Sequence, residues 1–227
     1  MALTARRTGK AMSEHARARI QAMRAYPTID TWMNPLTRGL ARHFAHQDWL
    51  KAQEELDFTY RMSDAEYAGV KCVRYETEKT RAGDRLILYV HGGGGVSGSP
   101  RVNASMILPV CQLTGVEAIG PDYTLVPEAR FPTQIEEIDR VYKQLLIERA
   151  GARIVLFGDS IGGAFAMAAL MKWRDEGAKL PAGVVLVSAA LDGDGASDPH
   201  ETVDGDDPLM RSYGGRNCRK LFGFYAP

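Results

Sequence analysis

Ser160 lies in the stretch GDSIG at residues 158–162, directly after the apolar run Ile154–Leu156. A serine on a sharp turn between a strand and a helix has its hydroxyl raised above the sheet, at the positive N-terminus of that helix. Small residues two positions before and after it allow the turn to close, and Gly163 permits close packing. The pattern predicts an activated serine nucleophile, with an ordinary glycine-rich turn as the alternative.

A second glycine-rich stretch, HGGGG at residues 91–95, follows the apolar run Leu86–Val90. Consecutive glycines leave backbone N–H groups uncovered, so that several of them can point at one position. Such donors stabilise the oxyanion of a tetrahedral intermediate, and loss of one typically costs about 3–4 kcal/mol. The stretch therefore predicts an oxyanion hole, with a flexible surface loop as the alternative.

Residues 93–98 also match the dinucleotide-binding pattern GxGxxG, and Asp122 lies just past the next predicted strand. This alternative would make the chain an NAD-dependent enzyme. It accounts for neither His91 nor the second turn at Ser160, and the serine–proline pair at residues 99–100 interrupts direct entry into a helix. We therefore favour the hydrolytic interpretation.

Strand and helix patterns alternate around these turns, and the strands lack polar alternation. This arrangement predicts an α/β fold with a mostly parallel sheet and helices on both faces. The predicted strands are Val70–Tyr75, Leu86–Val90, Val116–Ile119, Ile154–Phe157 and Val184–Ala189, and the predicted helices are residues 11–25, 36–56, 104–113, 133–149 and 161–173.

The composition excludes several classes of partner. The 227 residues contain 28 basic and 28 acidic side chains, a balance that argues against nucleic acid or acidic lipid as a partner. No apolar run reaches the ~20 residues that a membrane helix needs. Three cysteines (Cys72, Cys111 and Cys218) have no metal-binding spacing and suit a reducing compartment, so we predict a cytoplasmic protein. The arginine-rich start indicates a solvated helix, with a transit peptide as the alternative.

The two motifs, in this order, resemble those of the α/β-hydrolases, and more narrowly of the hormone-sensitive-lipase-like esterases. That family carries HGGG, then DYRLAPE followed by FP, then GDSAGG. Here the middle segment is DYTLVPE at residues 122–128, with FP at residues 131–132. The sequence departs from the family pattern at Thr124, usually arginine, and at Ile161, usually alanine. The bulkier Ile161 is expected to narrow the acyl pocket.

The resemblance implies an α/β-hydrolase core at residues 57–227 behind an N-terminal helical cap segment at residues 1–56. It implies a serine carboxylesterase that hydrolyses short-chain esters through an acyl-enzyme, with a small-molecule ester as partner and no cofactor. By the same resemblance Ser160 is the nucleophile, and the backbone N–H groups of Gly93, Gly94 and Ile161 form the oxyanion hole. The implied supporting residues are His91, Gly92 and Asp159, and those that hold the neighbouring loop are Asp122, Tyr123 and Glu128.

The remaining triad members are harder to assign. In this fold an acid and then a histidine follow the serine, each after a further strand. Only 37 residues follow Ala190, and they show no strand pair, so we expect the chain to stop before both members. His200 is the one downstream histidine and the candidate substitute base; the candidate acids are Asp192, Asp194 and Asp198.

Two alternatives to an active enzyme stay open on this ground. One is a non-catalytic protein that binds a small molecule, as in the plant gibberellin receptors, which resemble this family and have lost the histidine. The other is a fragment of a longer enzyme. The strand Val184–Ala189 would then lie near an uncovered sheet edge, and we expect the chain to self-associate.

Neither candidate metal site satisfies the requirements for binding. His43 and His46 lie three residues apart on a predicted helix, but no third ligand is near in sequence, so we expect a solvated pair. The acidic run DGDGASD at residues 192–198 fails the calcium-loop pattern, because the positions that need an acid, glycine and glutamate hold other residues. We predict no metal.

Overall fold

The structure, a computed structural model, describes residues 34–191 and six single positions between residues 13 and 31. These residues form one six-stranded sheet in the order β1-β2-β4-β3-β5-β6. The strands are β1 (Tyr60–Tyr67), β2 (Val70–Thr77), β3 (Arg85–Val90), β4 (Ala118–Pro121), β5 (Arg153–Asp159) and β6 (Gly183–Val187), and the helices are α1 (Arg38–Glu54), α2 (Ala104–Thr114), α3 (Thr133–Glu148) and α4 (Ile161–Asp175).

The sheet is mostly parallel, as the sequence predicts. Strands β4, β3, β5 and β6 run parallel to one another, whereas β2 is antiparallel to β4 and β1 is antiparallel to β2. Leu86, Leu88 and Val90 of β3 pack in the same core cluster as α3 and α4. Ile87 and Tyr89 point to the opposite face and pack with α2. Both faces are therefore covered, which accounts for strands without polar alternation.

Strand β1 is absent from the sequence prediction. Strand β1 lies at the edge of the sheet, where β2 is its one partner. Its residues are largely polar, so no apolar run in the sequence indicates a strand there. The local signal lies in the turn that follows, where Ala68 and Gly69 both have positive φ, of 50° and 78°. Two such residues between strands form a tight hairpin turn that matches the twist of the sheet. Strand β4 also begins two residues later than predicted, at Ala118.

Helix α1 lies where the sequence predicts it, but it packs through different residues. The apolar side chains whose spacing predicts the helix include Leu36, Leu40 and Phe44, and all three are exposed. Ala41 and Ala45 are buried in the core instead. These small side chains allow α1 to pack closely against the residues beneath it.

Some predictions fall on residues that the structure does not describe. They include most of the helix at residues 11–25, Cys218, and everything from Asp192 onwards with His200. The cap boundary at residue 56 and the self-association of the chain remain predictions. None of the helices in the described part of the chain combines the length and apolar character needed to cross a bilayer.

Candidate active site

The two glycine-rich motifs meet at one edge of the sheet. Strands β3 and β5 are adjacent and parallel, with Val90 paired to Gly158. His91, which follows β3, and Asp159, the last residue of β5, therefore lie side by side at this edge of the sheet. In open α/β sheets, ligands bind in the crevice beyond the carboxyl ends of the strands.

Ser160 occupies a strained turn between β5 and α4. Its backbone has φ 52° and ψ −125°, a conformation that non-glycine residues rarely adopt. The backbone N–H donates to the carbonyl of Val187 at 2.9 Å, and the carbonyl accepts from the N–H of Gly163 at 3.1 Å and of Ala190 at 3.0 Å. These bonds hold the strained conformation from both sides. The partly exposed side chain lies at the positive end of α4.

The glycines around Ser160 are required by the closeness of α4 to the sheet. A Cβ at Gly158 would lie 2.7 Å from the carbonyl oxygen of Gly162. A Cβ at Gly162 would collide with the carbonyl oxygens of Val90 and His91. These neighbours are backbone atoms that cannot rotate away, so the spacing of glycines in the motif has a steric cause.

The glycine loop, residues 91–97 after β3, is a hydrogen-bonded turn. The N–H groups of Val96 and Ser97 donate to the carbonyl of Gly93, at 3.2 and 3.0 Å. Gly93 and Gly94 have positive φ, of 115° and 63°. A Cβ at Gly93 would collide with the carbonyl of Ser97. The structure thus favours a defined turn over the flexible loop that was the alternative.

Asp159 connects the glycine loop to the turn that carries Ser160. Its carboxylate Oδ1 accepts from the N–H of Gly92 at 3.0 Å and from the Tyr89 hydroxyl at 2.8 Å. Asp159 is buried, and burial raises its pKa, while these two hydrogen bonds oppose the rise. Tyr89 is the site residue that sequence reasoning missed; a tyrosine within a buried strand signals a hydroxyl that needs a partner.

His91 is buried beneath the glycine loop. Its Nδ1 donates to the carbonyl of Gly92 at 2.7 Å, which leaves Nε2 unprotonated and without a described partner. Tyr123 stacks on the imidazole with ring centres 4.2 Å apart and donates its hydroxyl to the His91 carbonyl at 2.7 Å. Burial lowers the pKa of His91 to about 4. His91 is therefore neutral near pH 7 and held by the loop, and its supporting role stays a prediction.

This burial gives a test by pH. Between pH 6.5 and about 4 the unfolded chain takes up a proton at His91 while the folded chain does not. The free energy of unfolding therefore decreases as the pH is lowered through this range. The full shift corresponds to roughly 3 kcal/mol, of which about 2 kcal/mol is lost by pH 5. The variant His91→Asn keeps an amide donor for Gly92 but does not titrate. Urea unfolding at pH 7 and pH 5 should show a smaller acid loss in the variant, and equal losses would contradict a buried neutral His91.

The described residues contain no base for Ser160. Within residues 34–191 no histidine is hydrogen-bonded to its hydroxyl. His43 is exposed, as expected of a solvated residue, but His46 is half-buried and its Nε2 accepts from the N–H of Gly98 at 3.3 Å, which corrects the expected solvated pair. In the same part of the chain no three His, Cys, Asp or Glu side chains are grouped to hold a metal.

Two departures from the family pattern have local explanations. Thr124 donates its N–H and its hydroxyl to the Glu137 carboxylate, at 2.6 and 2.9 Å, and so anchors its loop to α3. Ile161 is 2% exposed and packs in the core with Phe165. Its side chain therefore does not narrow an open acyl pocket, contrary to expectation. Its N–H is the first of α4, where no intrahelical acceptor exists.

Comparisons with known proteins match the part of the chain that carries both motifs. A family model of the alpha/beta hydrolase fold matches residues 87–223. A crystal structure of an esterase from the bacterial hormone-sensitive lipase family superposes with a TM-score of 0.80 at 28% identity, covering 95% of this chain and 70% of that chain.

Two curated relatives are similar over about half of the chain. An acetyl-hydrolase of Streptomyces hygroscopicus is 34% identical over 122 residues, which are 53% of this chain and 41% of the relative. Human hormone-sensitive lipase is 32% identical over 130 residues, which are 55% of this chain and 12% of the lipase. The chain spans less than half the length of these relatives.

Proposed function

The chain belongs to the α/β-hydrolase fold family, and on that premise we propose that it is a serine carboxylesterase that acts on short-chain esters. The observation that carries the proposal is the strained backbone of Ser160, with φ 52°, at the N-terminus of α4 and beside the glycine loop. Strained backbone conformations cluster at active sites and ligand clamps. The similarity to esterases supports the same reaction class.

In the proposed reaction, the Ser160 oxygen forms a bond to the ester carbonyl carbon, and the π electron pair moves to the carbonyl oxygen. The N–H groups of Gly93, Gly94 and Ile161 donate to that oxyanion. Collapse of the intermediate breaks the bond to the alcohol, which leaves with the serine proton. Water then attacks the acyl-enzyme by the same steps and releases the acid.

The serine proton requires a base, and His91 is unsuited because it is buried, its Nδ1 is bonded to the Gly92 carbonyl, and burial disfavours its protonated form. His200 is the histidine that the sequence offers downstream of Ser160, and it lies outside the described residues. We propose it as the first residue to replace when a base is sought. The variant His200→Gln removes the titrating group and retains a polar side chain.

The proposal is tested by covalent labelling with diethyl p-nitrophenyl phosphate, which phosphorylates activated serines. We expect one diethylphosphoryl group per chain, located by peptide mass spectrometry on the peptide that contains Ser160. Release of p-nitrophenolate gives the rate. Label on another serine, or no label under conditions that modify a known esterase fully, would overturn the proposal.

A non-catalytic protein that binds a small molecule is the second candidate. Within residues 34–191 no histidine is hydrogen-bonded to the Ser160 hydroxyl, so this candidate stays open beside the esterase. A weakly activated hydroxyl is a poor nucleophile at its ordinary pKa. Saturable binding of p-nitrophenyl butyrate in calorimetry, with the ester recovered unchanged, would select this candidate over the esterase.

A further inference from the structure

One face of α1 bonds to the backbone of the glycine loop and of the residues that follow it. His46 accepts from the N–H of Gly98, and Gln53 Nε2 donates to the carbonyls of Arg101 and Val102 at 2.7 and 2.8 Å. Arg42, one turn before His46, donates to the carbonyl of Val96. Polar side chains at helical spacing thus follow the loop for much of its length.

Arg42 makes the most extensive of these contacts. Its Nε donates to the Val96 carbonyl at 2.6 Å, and its Nη2 donates to the Val126 carbonyl at 3.1 Å. Its Nη1 and Nη2 bind the two oxygens of Glu128, both at 2.9 Å. One planar guanidinium therefore joins α1, the glycine loop and the DYTLVPE segment.

The two loops are also joined directly. The N–H of Val126 donates to the carbonyl of Gly95 at 2.8 Å. Gly95 and Val96 follow the proposed oxyanion donors without a break, so the position of Gly93 and Gly94 depends on what holds these two carbonyls. Arg42 binds the Val96 carbonyl directly. It also binds the carbonyl of Val126, the residue whose N–H holds the Gly95 carbonyl.

We propose that Arg42 is a positioning residue for the oxyanion hole, acting through the carbonyls of Val96 and Val126. This inference rests on the proposed esterase function for its kinetic part. An oxyanion donor acts on charge that develops in the transition state, so a displaced loop lowers kcat more than it raises KM. A displacement of about 1 Å can cost roughly 100-fold in rate.

Arg38 provides a matched control on the same helix. Its Nε lies 3.5 Å from the same Glu128 carboxylate, but it contacts neither loop carbonyl. The variant Arg38→Met therefore removes one cation beside Glu128 and leaves the glycine loop in place. The variant Arg42→Lys keeps the charge and the pairing with Glu128, but a single ammonium cannot reproduce the fork that reaches both carbonyls.

We expect Arg42→Met to lower kcat for p-nitrophenyl butyrate roughly 30- to 100-fold with KM changed less than about threefold. Arg42→Lys should recover less than half of this loss, and Arg38→Met should stay within about threefold of the parent. Hydrogen exchange at residues 92–96, followed by mass spectrometry, should be faster in both Arg42 variants and unchanged in Arg38→Met.

The two readouts separate the inference from the function on which it rests. Exchange at residues 92–96 that is equal in Arg42→Met and Arg38→Met overturns the inference, whatever the activity. Full recovery of kcat by Arg42→Lys also overturns it, because charge alone would then suffice. A parent chain without Ser160-dependent turnover overturns the esterase proposal, while the exchange result still decides whether Arg42 holds the loop.

Discussion

Replacement of Ser160 by alanine is expected to lower kcat/KM for p-nitrophenyl butyrate by at least about 10⁴-fold, to the level of buffer and protein background. The neighbouring carboxylate of Asp159 is not available as a nucleophile, since it is buried and engaged by Gly92 and Tyr89. Initial rates of p-nitrophenolate release measure the effect. Ser63→Ala on β1, at the far edge of the sheet, is the control and should retain the parent rate.

The comparison is informative because the variant should fold like the parent. The three hydrogen bonds that hold Ser160 involve only its backbone, and its hydroxyl caps no N–H of α4. We therefore expect the free energy of unfolding to change by less than about 1 kcal/mol. Equal turnover by parent and Ser160→Ala would mean that the hydrolysis has another source and that Ser160 is not the nucleophile.

The turn at Ser160 could be predicted from the sequence because its steric requirements are local. Gly158, Gly162 and Gly163 lie within five residues of one another, and each is needed where α4 approaches the sheet. A short pattern of glycines between a predicted strand and a predicted helix therefore indicates that the helix packs too closely for side chains at these positions. Apolar residues at helical spacing are a second local signal, and they predict one buried face on α3, formed by Ile135, Ile138, Val141, Tyr142, Leu145 and Leu146. The first five are buried, and Leu146 is partly buried.

The contacts that hold the glycine loop could not be predicted, because they join residues far apart in the chain. Gly92 binds Asp159 across 67 positions, and Arg42 binds Glu128 across 86. Neither residue type signals its partner; an arginine on a polar helix is usually solvated. His46 illustrates the same limit, since only the position of α1 against the loop distinguishes a bonded imidazole from an exposed one. The sequence does not predict strand β1, because its largely polar residues form no apolar run of the kind seen in strands that are covered on both faces.

Replacement of Gly93 by alanine is expected to lower kcat for p-nitrophenyl butyrate by roughly 10²- to 10³-fold, with KM changed less than about threefold. Gly93 has φ 115°, and a Cβ there would collide with the Ser97 carbonyl, which belongs to the turn itself. The turn must therefore open or rotate, and the N–H groups of Gly93 and Gly94 move away from the oxyanion. Steady-state kinetics of the purified variant measure both constants.

Gly151→Ala separates this loss from the general cost of a side chain at positive φ. Gly151 has φ 88° with no atom near the added Cβ, and it precedes β5, at the opposite end of that strand from Ser160. Gly151→Ala should be destabilised by about 1–2 kcal/mol in urea unfolding, because alanine disfavours this backbone region. Gly93→Ala should be destabilised by more, because its Cβ also collides with the Ser97 carbonyl. Only Gly93→Ala should lose rate. If both variants lose rate equally, the loss reflects stability, and the glycine loop is not the oxyanion hole.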